Sequence, residues 1–224
     1  MAVILSIETS TSVCSAALHE DGNLLAVKEL STPQSAAAQL AIQIEELFAT
    51  TNRPKKQLDA VAVSSGPGSY TGLRIGVATA KGICCGLRIP LIAIDSLLVL
   101  ASHISDPYVY DLLCPMIDAR RMEVYCSLLD NSLATIENTH ARIIDSTSFS
   151  DHLALHSILF FGDGASKCRD HIRHQRATFL EDVYPTAESM GKLGFQKFRL
   201  EQFENLRLFE PNYLKNFVAK TKSV

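Results

Sequence analysis

The residues most able to do chemistry lie in a glycine-rich turn, Ser64-Ser65-Gly66-Pro67-Gly68-Ser69, inside the stretch VAVSSGPGSYTGLRIGVATAKGICCG that runs from Val61 to Gly86. Gly66 and Gly68 can take the positive φ of a tight turn, Pro67 stiffens it, and Ser69 or Thr71 can cap a following helix. Unpaired N–H groups would then point outward and could hold an anion. The competing reading is an ordinary strand-to-helix connection. Glycines at 66, 68 and 72 are spaced one residue too far for a dinucleotide fingerprint, and no Gly-Lys-Ser/Thr ending follows. No Gly-x-Ser-x-Gly nucleophile elbow is present either. On residue types alone, a structural turn leads over a catalytic one.

Histidines and cysteines offer the other candidate chemistry. His152 and His156 have the spacing of a metal pair on one helical face, but no acid follows at the spacing of a zinc protease, so a solvated face is the expectation. His171 and His174 sit among Arg169, Asp170, Arg173 and Arg176 and read as an exposed polar face. The cysteines at 14, 84, 85, 114, 126 and 168 form no Cys-x-x-Cys pair and fall mostly in apolar runs. They read as small buried hydrophobes in a reducing compartment.

The elements that must position these groups follow from periodicity. Residues 3–7 and 13–19 read as strands, and Glu20-Asp21-Gly22-Asn23 as a hairpin turn into a third strand over 24–30. An amphipathic helix is expected over 35–49, a strand over 59–63, and a long helix after the glycine turn. A short strand over 91–94 and a helix over 95–104 precede Ser105-Asp106-Pro107, the expected boundary between units. The pattern then restarts, with strands over 112–117, 122–129 and near 139–144, a helix over 148–156, a strand over 157–161, and a last long helix over 186–204. The order β-β-β-α-β-α thus occurs twice, which suggests two lobes of one topology facing a cleft.

Composition sets outer bounds. At 224 residues and 47% hydrophobic, the chain can bury a large core. A net charge of -3 argues against a surface that itself grips nucleic acid tightly. The N-terminal apolar run is only a strand long and lacks a basic flank, so no signal peptide or membrane span is expected, and a cytoplasmic location is the default. Gly72, Gly76 and Ala80 recur every four residues, a face that lets another backbone approach closely, either within the fold or from a partner chain.

In order and spacing, ILSIETSTSVCSAAL, VSSGPGSYTGLRIGVATAKGI, PLIAIDSL, DARRMEVY, FGDGA and PNYL resemble the TsaB (YeaZ-like) proteins over nearly the whole chain. The resemblance implies an α/β, two-lobed fold of the actin, hexokinase and chaperone-ATPase type, with duplicated βββαβα, ribonuclease-H-like lobes. The chain is expected to divide into a first lobe at 1–105, a second at 106–205 and a tail at 206–224 whose apolar Tyr213, Leu214 and Phe217 pack back on the first lobe. The resemblance implies a noncatalytic scaffolding subunit in threonylcarbamoyl transfer to the adenosine beside the anticodon of tRNAs reading codons that begin with A. The implied partners are a TsaD-type catalytic subunit, a TsaE-type ATPase and tRNA through the complex, with a homodimer when the chain is alone and no membrane. A glycoprotease-like metallopeptidase and a stand-alone nucleotide-binding homodimeric regulator are the alternatives.

Site residues follow from the same resemblance. The catalytic relative holds a metal with His-x-x-x-His on its first-lobe helix, whereas Pro33-Gln34-Ser35-Ala36-Ala37-Ala38-Gln39-Leu40 has no imidazole to offer. No catalytic or metal residue and no cofactor of its own is therefore expected. Glu8, Ser10, Gly66, Gly68, Asp118, Gly162 and Gly164 occupy turns that bind nucleotide in the superfamily and are expected to be vestigial, with weak ATP or ADP binding kept as an alternative. The partner interface is assigned to Ala37, Ala41, Gly72, Gly76 and Ala80. Arg169, Arg173 and Arg176 are a candidate tRNA contact, while Lys215, Lys220 and Lys222 read as solvated charge.

Overall fold

The computed structural model describes residues 1–30 and 36–215. β1 (Val3–Glu8) and β2 (Cys14–Glu20) pair antiparallel from Val3↔Glu20 to Glu8↔Ser15. Asp21 and Gly22, at φ 49° and 81°, turn β2 into β3 (Asn23–Leu30). A two-residue hairpin whose twist matches its strands needs positive φ at both positions, and Asp-Gly supplies it. All of β1 is buried, as befits a strand covered on both faces.

Helices α1 (Ala36–Thr51) and α2 (Tyr70–Leu87) carry the chain to β4 (Ala60–Gly66) and β5 (Leu91–Asp95), which extend the sheet in parallel to the order β3-β2-β1-β4-β5. The Ser69 side chain accepts the Gly72 N–H and starts α2, and Arg88 in the left-handed region ends it. Next comes α3 (Ser96–Ala101), capped by the Asp95 carboxylate, which accepts the N–H groups of Leu97 and Leu98.

The second sheet holds β6 (Leu112–Asp118), β7 (Glu123–Asp130), β8 (Thr135–Ile143), β9 (Ile158–Phe161) and β10 (Ala177–Leu180), with α4 (Ser150–Leu155) between β8 and β9. Read as β8-β7-β6-β9-β10, its order repeats that of the first sheet. The two-lobed, duplicated architecture implied by the sequence is present. Two elements differ from expectation. β8 begins at Thr135, earlier than the expected strand, and the last helix, α5, spans only Gly191–Arg199. A 3₁₀ turn at Glu188–Met190 precedes α5, and Glu201 at φ 52° lies just beyond it, so the apolar periodicity over 186–204 runs through three local conformations.

The lobes exchange helices. α3 belongs to the first lobe by sequence, yet Leu97, Leu100 and Ala101 pack with Leu113, Ile117, Leu129 and Phe161 of the second sheet. Its Val99 faces the other way, among Ile4, Ala62, Ile92 and Ile94. α5 follows the second sheet but covers the first, with Leu193, Phe195 and Phe198 against that same cluster. Fully burying one such Leu or Ile contributes about 1.5–3 kcal/mol. The division at residue 105 therefore separates the sheets, while the packing crosses it.

After α5 the chain returns over the first lobe, where Leu206 and Phe209 join the core formed with α1 and α2. Phe217, Lys220 and Lys222 lie outside the described residues, as do Pro33, Gln34 and Ser35. No helix among the described residues is long and apolar enough to cross a membrane.

Candidate functional site

The carboxyl ends of β1 and β4 bring Glu8, Ser10, Gly66 and Gly68 together. Glu8 and Ser10 are buried, and the Ser10 N–H donates to Glu8 Oε1 at 2.6 Å. The next turn is spent on the same loop, because the Ser69 N–H donates to Ser10 O at 2.6 Å. A Cβ on Gly68 would lie 2.3 Å from that Ser10 oxygen, and one on Gly66 would lie 2.6 Å from Asn212 O. Both glycines have positive φ, 157° and 105°. The turn is thus filled by the chain's own backbone, and its donors Ser10 N–H and Ser69 N–H are already satisfied.

Burial pushes the Glu8 carboxyl above its ordinary range, and the neighbouring Ser10 and Ser64 pull it only part of the way back. Glu8 Oε2 and the hydroxyls of Ser10 and Ser64 are buried and close no hydrogen bond of normal geometry among the described residues. A carboxyl so placed is favoured in its neutral form, whose proton can serve a neighbouring hydroxyl.

In the second lobe, Asp118, Gly162 and Gly164 also meet. The Asp118 N–H donates to Asp163 Oδ1 at 3.0 Å, and Gly164 N donates to Met116 O at 3.1 Å. Burial raises the Asp163 carboxyl, with its bond to Asp118 N–H opposing. A Cβ on Gly162 would strike Met116 O at 2.2 Å, so this glycine too is required by close backbone packing. Asp118 is exposed; its Oδ1 caps Arg120 N–H at 3.0 Å and pairs with Lys167. Lys167 also donates to the carbonyls of Arg121 and Glu123, fastening the β6–β7 hairpin, in which Arg120 and Arg121 both have positive φ.

The interface assigned to Gly72, Gly76 and Ala80 needs correction, since these three residues are buried and face into their own lobe. Thr9 is what approaches them. A Cβ would lie 2.0 Å from Thr9 O on Gly72 and 2.3 Å from Thr9 Oγ1 on Gly76, and Thr9 Oγ1 donates to Gly72 O at 2.8 Å. The outer face of α2 is instead Thr71, Arg74, Ala78, Gly82, Cys85 and Gly86, where a Cβ on Gly82 would meet open space. On α1, Ala41 is exposed beside Ile42, which is 50% exposed. The Ala37 side chain lies outside the described residues.

His152 and His156 do not share a helical face. α4 ends at Leu155, and His156 is extended, at φ -123° and ψ 147°. His152 Nε2 instead meets Glu137 Oε1 at 2.8 Å, and Arg142 binds the other oxygen of that carboxylate at 3.0 Å. The segment after Cys168 is turn and irregular chain with no helix, and its arginines are engaged: Arg169 pairs with Glu181, Arg173 with Asp170, and Arg176 donates to Ala154 O. Five cysteines are buried and Cys85 is exposed. Burial pushes the thiols of Cys14, Cys84 and Cys168 up to about 11, which leaves them unreactive at neutral pH.

Sequence reasoning overlooked Thr9, Asn212 and the pair Asp95 and Thr139. Thr139 Oγ1 donates to Asp95 Oδ2 at 3.0 Å and joins the lobes. No local pattern marks these residues, since each acts on a group 44 or more positions away. Two open grooves, about 420 and 640 Å³, lie near the β2–β3 turn and α5 and include none of the cleft turns.

A family model described as TsaD, tRNA N6-adenosine threonylcarbamoyltransferase, matches residues 32–223. The chain is 29% identical over 226 residues to the tRNA threonylcarbamoyladenosine biosynthesis protein TsaB of Escherichia coli (strain K12), covering 98% of this chain and 97% of that one. It is 33% identical over 125 residues to the protein of the same description from Bacillus subtilis (strain 168), covering 56% and 54%. Among solved structures, YeaZ from Pseudomonas aeruginosa superposes with a TM-score of 0.82 at 23% identity, covering 96% of this chain and 100% of that one, a likeness of fold.

Proposed function

Since the chain belongs to the TsaD family, on its TsaB/YeaZ branch, we propose that it serves the synthesis of threonylcarbamoyladenosine in tRNA as a noncatalytic scaffolding subunit. Its partner in this reading is a TsaD-type catalytic subunit, joined by a TsaE-type ATPase, and it reaches tRNA through that complex. The observation that carries the reading is the filling of the first cleft turn. Where a catalytic lobe needs free donors, Ser10 N–H is held by Glu8, Ser69 N–H is held by Ser10, and Asn212 O lies over Gly66. A site built for transition-state stabilisation presents unspent donors to the reacting group, and these are spent.

The contact with the catalytic subunit is assigned to the outer faces of α1 and α2. Ala78, Gly82 and Cys85 leave the α2 backbone open to close approach there beside Arg74, and Ile42 adds an exposed apolar anchor on α1. Small residues allow helices to approach closely, and an apolar centre suits a buried interface.

Reconstitution tests the whole reading. The purified chain is combined with TsaD-type and TsaE-type proteins, tRNA and threonylcarbamoyl-adenylate, and modified adenosine is measured by mass spectrometry. Modification is expected only with the catalytic subunit present and is expected to fall when this chain is omitted. Turnover by the chain alone that survives repurification refutes the noncatalytic role.

A further inference from the structure

Residues 206–215 cross from one lobe to the other over the carboxyl ends of the strands. Their root on the first lobe is broad. Leu206 and Phe209 pack on the core, Lys81 Nζ donates to Phe209 O at 2.9 Å, and Asn212 N donates to Ser65 O at 2.7 Å. The Tyr213 ring lies 4.7 Å from that of Tyr70, and its hydroxyl accepts from Arg74 Nε at 3.3 Å. At the far end the hold is narrow. Lys215 alone supplies the described polar contacts with the second lobe: it pairs with the Glu123 carboxylate, lies 3.5 Å from Ala119 O and sits 5.9 Å over the Tyr125 ring.

This asymmetry has a physical consequence. The side chains of Lys215 and Glu123 are 37% and 24% exposed, and an ion pair in such a position is weak and screened by salt. The root combines buried apolar contact with several hydrogen bonds, so when the segment yields it yields first at Lys215. The segment also covers the glycine turn, because Asn212 O stands over Gly66. Among the described residues, a strip anchored firmly on one lobe and clasped by one residue on the other is built to open at the clasp.

We propose that residues 209–215 form a releasable latch that narrows the cleft mouth and covers the glycine turn while Lys215 is clasped to the β6–β7 hairpin, in addition to the buried packing of α3 and the Asp95–Thr139 bond that join the lobes at their base. The proposal does not depend on the partner assignment, since every contact it uses lies within this chain. Releasing the clasp lets the lobes part about the exchanged helices α3 and α5.

Spin-label distance measurement on the full chain tests it. One label goes on Cys85, the exposed cysteine of α2, and the other on Ser146→Cys in the exposed turn after β8. At low salt the parent chain is expected to give one narrow distance, and at high salt a second, longer one. Lys215→Glu is expected to show the longer distance at every salt concentration, and Lys215→Glu combined with Glu123→Lys to restore the single short distance at low salt. Lys215→Gln replaces the charge reversal should that variant fail to fold. An unchanged distance distribution in the Lys215 variants overturns the latch, and failure of the swapped pair to restore the short distance overturns the clasp.

Discussion

Two glycines ten positions apart on α2 are expected to respond to alanine with opposite sign. At Gly82 an added Cβ meets nothing within 4 Å, so Gly82→Ala gains the helix preference of alanine and stabilises by roughly 0.5–1 kcal/mol. At Gly72 the Cβ falls 2.0 Å from a backbone oxygen, Thr9 O, which cannot rotate aside as a side chain would. Relief requires α2 and the β1 end to separate, straining the 2.8 Å bond from Thr9 Oγ1 to Gly72 O. Overpacking costs about 1–3 kcal/mol and a lost buried hydrogen bond about 1 kcal/mol more, against a helix gain of about 1 kcal/mol, leaving a net loss of about 1–3 kcal/mol. Gly76→Ala should fall between the two, since it meets a side-chain oxygen, Thr9 Oγ1, that can move by side-chain rotation at the loss of its bond to Gly72 O. Urea unfolding followed by far-ultraviolet circular dichroism reads all three, and thermal midpoints should move by roughly 2–4 °C per kcal/mol. If Gly72→Ala proves as stable as Gly82→Ala, α2 does not pack on Thr9 and the inward assignment of this face is wrong.

Three further outcomes are expected. Gly82→Arg should be at least as stable as the parent, since arginine shares most of alanine's helix preference at this open position, while abolishing binding to the TsaD-type subunit by calorimetry; unchanged affinity would place the interface elsewhere. Burial raises the Glu8 carboxyl above 4.5, so the fold favours its neutral form: the parent gains stability as pH falls through the folded value, and Glu8→Gln should match or exceed it at pH 7 with an advantage that shrinks on acidification. A constant difference from pH 7 to pH 4.5 would show that Glu8 does not titrate in this way. His19 is shifted the other way, lowered from 6.5 by burial, with Ser6 Oγ and Glu188 O each 3.1 Å from its ring nitrogens. Its stabilisation is complete above 6.5 and is lost as pH falls below that value, so His19→Gln should flatten the decline of the thermal midpoint between pH 7 and pH 5.

Local structure was legible in the sequence where the determinants are local. The Asp21-Gly22 hairpin, the strand before Ser64 and the helix after Ser69 each follow from turn chemistry or periodicity, and the repeated order of elements announced two lobes. What a small-residue face packs against was not legible, because spacing reports close approach without naming the neighbour: Thr9 lies 63 residues from Gly72. His152 and His156 failed similarly, since helical spacing assumes a helix that here stops at Leu155. The helix exchange did leave a trace. Five of the six residues in α3, Ser96, Leu97, Val99, Leu100 and Ala101, are buried, and apolar residues around the whole circumference mark a helix covered on every side.

The glycines of the SSGPGSYTGLRIG segment thus have a reason that catalysis does not supply. Gly68 admits Ser10 O, Gly72 admits Thr9 O, Gly76 admits Thr9 Oγ1, and Gly66 admits Asn212 O, so four glycines accommodate two loops that converge from opposite ends of the chain. A larger residue at Gly68 or Gly72 would push the Thr9-Ser10 turn away from the end of β4, which would expose Glu8 and disturb its bond from Ser10 N–H. The turn resembles a phosphate cradle because both need a backbone that can be approached closely. Here the group that approaches is the protein's own carbonyl, and the anion side of the site is taken by a buried Glu8 carboxyl. An incoming phosphate would have to displace Asn212 O from Gly66 and compete with Glu8 for the Ser10 N–H. Ser10 N–H and Ser69 N–H are already engaged within the first lobe, so neither of these two donors is free in this arrangement.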